Sequence, residues 1–305
     1  MQESLPLTKN HNKQLIIFAW IGTLLVSALP DILWREAFSD DAVQAIWLRF
    51  GFALILLVIT LIWKKMRPLW GYFLILLIIH VVAGIINPLI EKSEIWQSWF
   101  DSESTFWVLS SLGVQILRLF VSIAVIVALS LMGLKRHDYF LVKGELGAPV
   151  EPVRWLGIKK PVPWTHFGRT LAIIITLITL VFLAIGIRPS LSIIIAALPL
   201  LPFVLIFAAL NSFNEELPYR AALLSQLLPH VGKRQALLLT SVLFGIGHFY
   251  GVPSGMIGVL MAGLFAWLLG KSMIETHGFF WAWFIHFLQD VVIFAFFAMG
   301  ALSGG

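Results

Sequence analysis

The sequence contains no cysteine. That excludes structural disulfides, thiolate metal centres and a cysteine nucleophile. Charge is also scarce. Only 12% of the 305 residues are charged, against about 25% in a soluble domain. Internal repeats and low-complexity tracts are absent. What fills the chain instead is apolar: 59% of its residues are hydrophobic and its mean hydropathy is +0.93. This composition predicts an all-α polytopic membrane protein rather than a soluble protein with an anchor. The net charge of +5 says nothing for nucleic acid, because excess Lys and Arg in such a chain collect in cytoplasmic loops. No nucleic-acid partner is expected.

A crossing helix needs about 20 apolar residues. Apolar stretches fall near 14–33, 45–63, 69–87, 106–133, 170–187, 191–228, 236–250, 255–270 and 278–299, which predicts about eight or nine crossings. The stretch 191–228 is too long for one simple span, and 203–228 fits as a single crossing. The first stretch follows Lys9 and Lys13. No small-residue cleavage site comes after it, so a cleaved signal peptide is not expected.

Charge placement predicts orientation. Lys9 and Lys13, then Lys64, Lys65 and Arg67, then Lys135 to Arg169 are basic connections; Asp40 and Asp41, then Glu91 to Glu103, are acidic ones. The alternation puts the N-terminus in the cytoplasm, with Lys233, Arg234 and Lys271 also inside. Trp96, Trp99 and Phe100 mark an outer interfacial segment at 88–105. The polar stretch 134–169, rich in Gly and Pro, is not a continuous helix, and Trp155 and Trp164 suit the headgroup layer. The chain thus divides into N-terminal helices at 1–134, a cytoplasmic loop at 135–169 and a helix bundle carrying the chemistry at 170–305.

Three runs place ionisable groups at membrane depth, where they are costly and commonly functional. In Asn214-Glu215-Glu216-Leu217-Pro218-Tyr219-Arg220, Glu216 and Arg220 are one turn apart and pair. Glu215 is rotated about 100° away and stays free. Pro218 cannot donate to Asn214, so a kink is expected. In Phe244-Gly245-Ile246-Gly247-His248, the His sits one turn after Phe244, and the two Gly permit close helix approach. In His286-Phe287-Leu288-Gln289-Asp290, the acid is one turn from the His and can set its tautomer. Each run alone has a bland reading: a capped helix end, a packed His, a self-satisfied pair. Counted from an edge near Pro229–Arg234, however, Glu215 and His248 lie about 20 Å deep and His286 about 12 Å. Three carboxylates against one guanidinium leave a net negative charge. Such a site needs either a divalent cation or protons on its acids. There is no HExxH zinc motif and no GxGD motif.

In this order and spacing, Glu215-Glu216-x-x-x-Arg220, Phe244-x-x-x-His248 and His286-x-x-x-Asp290 resemble the type II CAAX prenyl endopeptidase and bacteriocin-processing (CPBP, or Abi) intramembrane proteases, over about residues 190–300. The resemblance implies that Glu215 and His248 activate the attacking water. His286 and Asp290 would stabilise the oxyanion, while Glu216 and Arg220 support the site. It leaves a zinc ion open, with Glu215, His248 and His286 as the ligands if one is held. Position 290 is commonly Asn in the family, and Pro218 and Tyr219 replace bulkier residues. The implied partner is a membrane-associated peptide in the bilayer, and the implied location a bacterial cell membrane. Two other classes fit the same acids: an ion- or proton-coupled transporter, and a non-catalytic immunity or scaffold protein.

Overall fold

The computed structural model describes residues 13–38, 43–100 and 106–303, the first four residues of 43–100 by backbone alone. Lys9, Asp40, Asp41, Asp101 and Glu103 of the charge pattern lie outside the described residues. The helices in chain order are α1 Lys13–Val26, α2 Leu29–Phe38, α3 Val43–Ile62, α4 Trp70–Val81, α5 Asn87–Glu91, α6 Glu94–Phe100, α7 Trp107–Leu131, α8 Trp164–Ile187, α9 Leu191–Ala197, α10 Leu201–Glu216, α11 Leu223–Ile246, α12 Gly255–Thr276 and α13 Phe280–Ser303. A two-residue antiparallel pairing joins Pro149–Val150 to Val162–Pro163.

Among the described residues six helical stretches are long and apolar enough to cross a membrane, or up to seven if α1 and α2, bent by 48°, count as one span. The bend has a local cause: Pro30 has no N–H to donate, and Leu29 N donates instead to Ser27 Oγ at 3.1 Å. One stretch, Leu191–Ile246, runs for 56 residues, more than the roughly 20 needed for one crossing. It breaks at Gly232, whose φ of 78° and ψ of 164° are not helical, beside the Pro229–Arg234 edge expected from the sequence. Along α8 the buried residues are Trp164, Gly168 and Ala172, all in its first half. Beyond them Ile173, Ile174, Leu177, Ile178, Val181 and Ile185 are exposed and apolar. An apolar surface of that kind is stable against lipid, not water. The chain is an integral membrane protein.

Two compact units form, neither continuous in sequence: Met1–Leu77 with Leu223–Trp267, and Ile78–Ala222 with Leu268–Gly305. In the first, α1 packs on α3 and α11. Thr23 and Tyr72 share a buried hydroxyl hydrogen bond of 2.8 Å, and Trp20 Nε1 donates to Gln235 Oε1 at 2.8 Å.

In the second unit, α13 packs against α8, α9 and α10, and α7 against α10. Val108, Val204, Phe207, Ala208, Phe294 and Ala298 form the core where α7, α10 and α13 meet. The stretch after α7 is not a continuous helix, as its Gly and Pro content predicts; it holds one short 3-10 turn at Arg154–Leu156, and it is not a loose loop. Tyr139, Phe140, Val150 and Val153 are buried. Glu145 N donates to Thr276 O at 2.7 Å, and Phe279 N to Val142 O at 2.8 Å. Gly144 (φ +75°) packs on Gly278, where a Cβ would come within 2.6 Å of its Cα. One sequence expectation is corrected here. Trp164 is fully buried rather than at the headgroups, and its Nε1 donates to Glu275 Oε2 at 3.0 Å. Lys271, expected on the cytoplasmic side, lies 3% exposed in α12, paired with Glu275.

Candidate active site

The last turns of α10 carry Asn211, Asn214, Glu215 and Glu216. The helix then widens into a π-turn over Leu217–Ala222. It lies where a kink is expected: Pro218 cannot donate to Asn214 O, and a wider turn relieves its ring from that carbonyl. Within the π-turn Arg220 still reaches Glu216 Oε1, and both side chains are fully buried. The expected Glu216–Arg220 pair is therefore present, and it has a third member. His286 of α13 brings Nδ1 to 2.8 Å from the same Glu216 oxygen.

A carboxylate oxygen only accepts, so the Nδ1 of His286 carries the proton in this pair. The other nitrogen, Nε2, faces Asp290 Oδ2 at 3.6 Å and Glu215 Oε2 at 3.8 Å. The acid that sets the His286 tautomer is thus Glu216 from a different helix, not Asp290 one turn away. Asp290 is buried, and its Oδ2 accepts from Asn211 Nδ2 at 3.0 Å.

Glu215 is not free, contrary to expectation. Its Oε1 accepts from Arg118 Nη1 at 3.0 Å and from Asn211 Nδ2 at 3.3 Å. Arg118 Nη1 also donates to Asn211 Oδ1. This fixes the amide: a guanidinium only donates, so the carbonyl of Asn211 faces Arg118 and its NH2 faces the two acids. A further link ties α7 to α10, where Ser122 Oγ donates to Asn214 Oδ1 at 2.8 Å and Asn214 Nδ2 to Gln115 O at 3.3 Å. The charge balance changes as well. Arg118 and Arg220 now stand against Glu215, Glu216 and Asp290, so the excess of negative charge is smaller than the motifs alone implied.

His248 belongs to the first unit. It lies just past the end of α11 at Ile246, not on the helix. Its ring still meets that of Phe244, with centroids 4.4 Å apart. Nδ1 is 2.9 Å from Phe244 O. Because a carbonyl only accepts, Nδ1 is the donor, and the neutral ring presents Nε2 as its basic atom. Gly245 does allow close approach, since a Cβ there would lie 2.6 Å from Val259 O of α12. The nearest atoms to such a Cβ on Gly247 belong to its own segment, Phe244 O and Leu243 O.

A metal was the open question. Among the described residues no three His, Asp or Glu side chains are grouped to hold one. Glu215, His248 and His286 are divided between the two units. In the second unit Glu215 Oε1, Glu216 Oε1 and Asp290 Oδ2 are each turned to an Arg, His or Asn donor. This donor set does not fit a zinc centre as it stands.

The motifs missed Arg118 and Asn211. The signal for Arg118 was present: a lone guanidinium inside the apolar stretch 106–133, which is costly there unless paired. Asn211 is uncharged and one turn before Glu215, and only the fold gives it meaning.

The family model described as type II CAAX prenyl endopeptidase Rce1-like matches residues 196–292. That segment runs from α9 to α13 and holds all three polar runs. Residues 196–292 are a segment of the CPBP family. The Rce1-like segment includes both site acids of α10, His248 and the His286–Asp290 pair, but not Arg118. No curated protein and no solved structure matches the chain.

Proposed function

We propose that the protein is an intramembrane endopeptidase that hydrolyses a peptide bond of a membrane-associated substrate, of CAAX or bacteriocin-leader type. The observation that carries this reading is the buried Glu216–Arg220–His286 group with Glu215 and Asp290 beside it, inside the Rce1-like segment. A structural ion pair needs no second Glu and no His. A hydrolytic site needs a base, and polar groups aimed at a developing oxyanion.

In the proposed reaction, Glu215 and His248 activate water, with Glu215 taking one of its protons. The remaining hydroxide adds to the scissile carbonyl carbon. The carbonyl oxygen becomes an oxyanion facing His286 and position 290. As the tetrahedral species collapses, the C–N bond breaks and the amine nitrogen takes the proton from Glu215. Acid and amine leave, with no covalent enzyme intermediate. Glu216 and Arg220 keep His286 in place. The step needs no route through a metal. Were zinc nonetheless required, Glu215, His248 and His286 would be its ligands, and the acids would have to release their present partners.

The same proposal places the protein in a bacterial cell membrane with a cytoplasmic N-terminus and about eight or nine crossings. Residues 1–134, 135–169 and 170–305 are its N-terminal, loop and catalytic parts. The test uses the purified chain in proteoliposomes with a fluorogenic farnesylated CAAX peptide and a fluorogenic leader peptide. The expected result is cleavage of one of them, abolished by Glu215→Gln. Proton flux without cleavage would favour the transporter reading, and neither would favour a scaffold. Metal analysis with a chelator arm decides the zinc question.

A further inference from the structure

Resting on the peptidase reading, we infer that Arg118 is a positioning residue for the catalytic base Glu215, and that Asn211 is the bridge through which it acts. Arg118 sits in α7, outside the matched segment and outside the three polar runs. Its side chain is 45% exposed, so it is not a buried structural charge like Arg220. One nitrogen, Nη1, meets both Glu215 Oε1 and Asn211 Oδ1. The Asn211 amide then donates to Glu215 Oε1 and Asp290 Oδ2. Three helices, α7, α10 and α13, are joined by one guanidinium and one amide.

The consequence is a choice between the two oxygens of Glu215. Oε1 is held by two donors, whereas Oε2 is the oxygen turned toward His286 Nε2. A carboxylate held at one oxygen cannot rotate its two edges into each other's place without losing both bonds. Arg118 and Asn211 thus decide which oxygen is presented to water, as partners of a reactive group do when they set its orientation. The N-terminal helices then have a role in the chemistry, since α7 supplies this guanidinium. The competing role, an anion receptor for substrate, makes a different kinetic prediction.

The experiment compares Arg118→Met, Arg118→Lys and Asn211→Ala in proteoliposomes, with kcat per folded molecule and KM measured separately. Positioning predicts that Arg118→Met lowers kcat about 10- to 100-fold with KM unchanged. Arg118→Lys should recover part of kcat, because it restores the charge without the planar fork. Asn211→Ala combined with Arg118→Met should cost no more than the worse single change, since both act on one oxygen. A rise in KM alone would make Arg118 a substrate contact and overturn the inference, as would unchanged kinetics. A second measurement does not depend on cleavage. Thermal unfolding in detergent of Arg118→Met, Glu215→Ala and the double variant should show coupling between the two sites, since each single change removes the contact. Additive effects would overturn the link. A parent that cleaves nothing while the coupling holds would sink the peptidase reading and leave the Arg118–Glu215 link standing.

Discussion

Neighbouring residues Glu215 and Glu216 have opposite surroundings, and single substitutions should separate them. Glu215→Gln keeps the shape and can still accept from Arg118, but it cannot take a proton. It should abolish cleavage with thermal stability nearly unchanged. Glu216→Gln removes the charge that faces the buried Arg220, and breaking such a pair costs about 3–5 kcal/mol. It should lower the melting temperature and the yield, read by thermal unfolding in detergent. A folded, inactive Glu216→Gln beside an active Glu215→Gln would reverse the roles. Asp290 stands where the proteases that the three runs resemble commonly have Asn. Asn at 290 keeps an oxygen to accept from Asn211 and adds an N–H that does not titrate. Asp290→Asn should therefore stay active, and any limb that Asp290 gives the pH–rate profile should vanish; a folded but inactive variant would show that a carboxylate is needed there. The acids, His286 and Arg220 were legible in sequence because ionisable groups in apolar runs stand out. The partner of His286 was not. Spacing pointed to Asp290, but the 2.8 Å bond goes to Glu216, 70 residues away, and local spacing carries no information about that.

At the scale of elements, the helices themselves were legible, since long apolar runs set their length and Gly, Pro and charge their ends. What periodicity could not give is how a polar segment packs. The stretch after α7 reads as an exposed loop, yet its backbone is bonded to Thr276 and Phe279 at the α12–α13 turn. Trp164 and Lys271 converge on Glu275 beneath it. Removing one charge of that pair leaves the other buried alone. Lys271→Met should thus cost about 3–5 kcal/mol, and Lys271→Met with Glu275→Gln much less. Equal losses from the single and the double change would mean that the pair is not what holds the segment. Gly144→Ala adds a clash with Gly278 to a left-handed φ that costs roughly 1–2 kcal/mol in itself. Limited proteolysis should then cut the 132–163 segment faster than in the parent.

For the whole molecule, exposed apolar surface and compact units are facts of the fold, while orientation rests on the placement of charge. The units interleave along the chain, with residues 1–77 grouped with 223–267; hydropathy reads a chain linearly and cannot foresee that grouping. Orientation can be tested directly, because a chain without cysteine accepts single reporter cysteines with no background. Lys159 is exposed in the segment between α7 and α8, and Ser98 is exposed on α6. The basic connections carry Lys64, Lys65, Arg67 and then Lys135 to Arg169, and the acidic one carries Glu91 and Glu94. Retention of Lys and Arg on the cytoplasmic side then puts Lys159 inside and Ser98 outside. In sealed, oriented membranes Lys159→Cys should react with an impermeant maleimide only from the cytoplasmic face, and Ser98→Cys only from the outer face. The two labels must exchange sides together if the orientation is inverted, because among the described residues between them α7 is the one helix long and apolar enough to cross. Labelling of both from one face would mean that α7 does not cross. In that case Arg118, which α7 carries, would not lie at membrane depth beside Glu215.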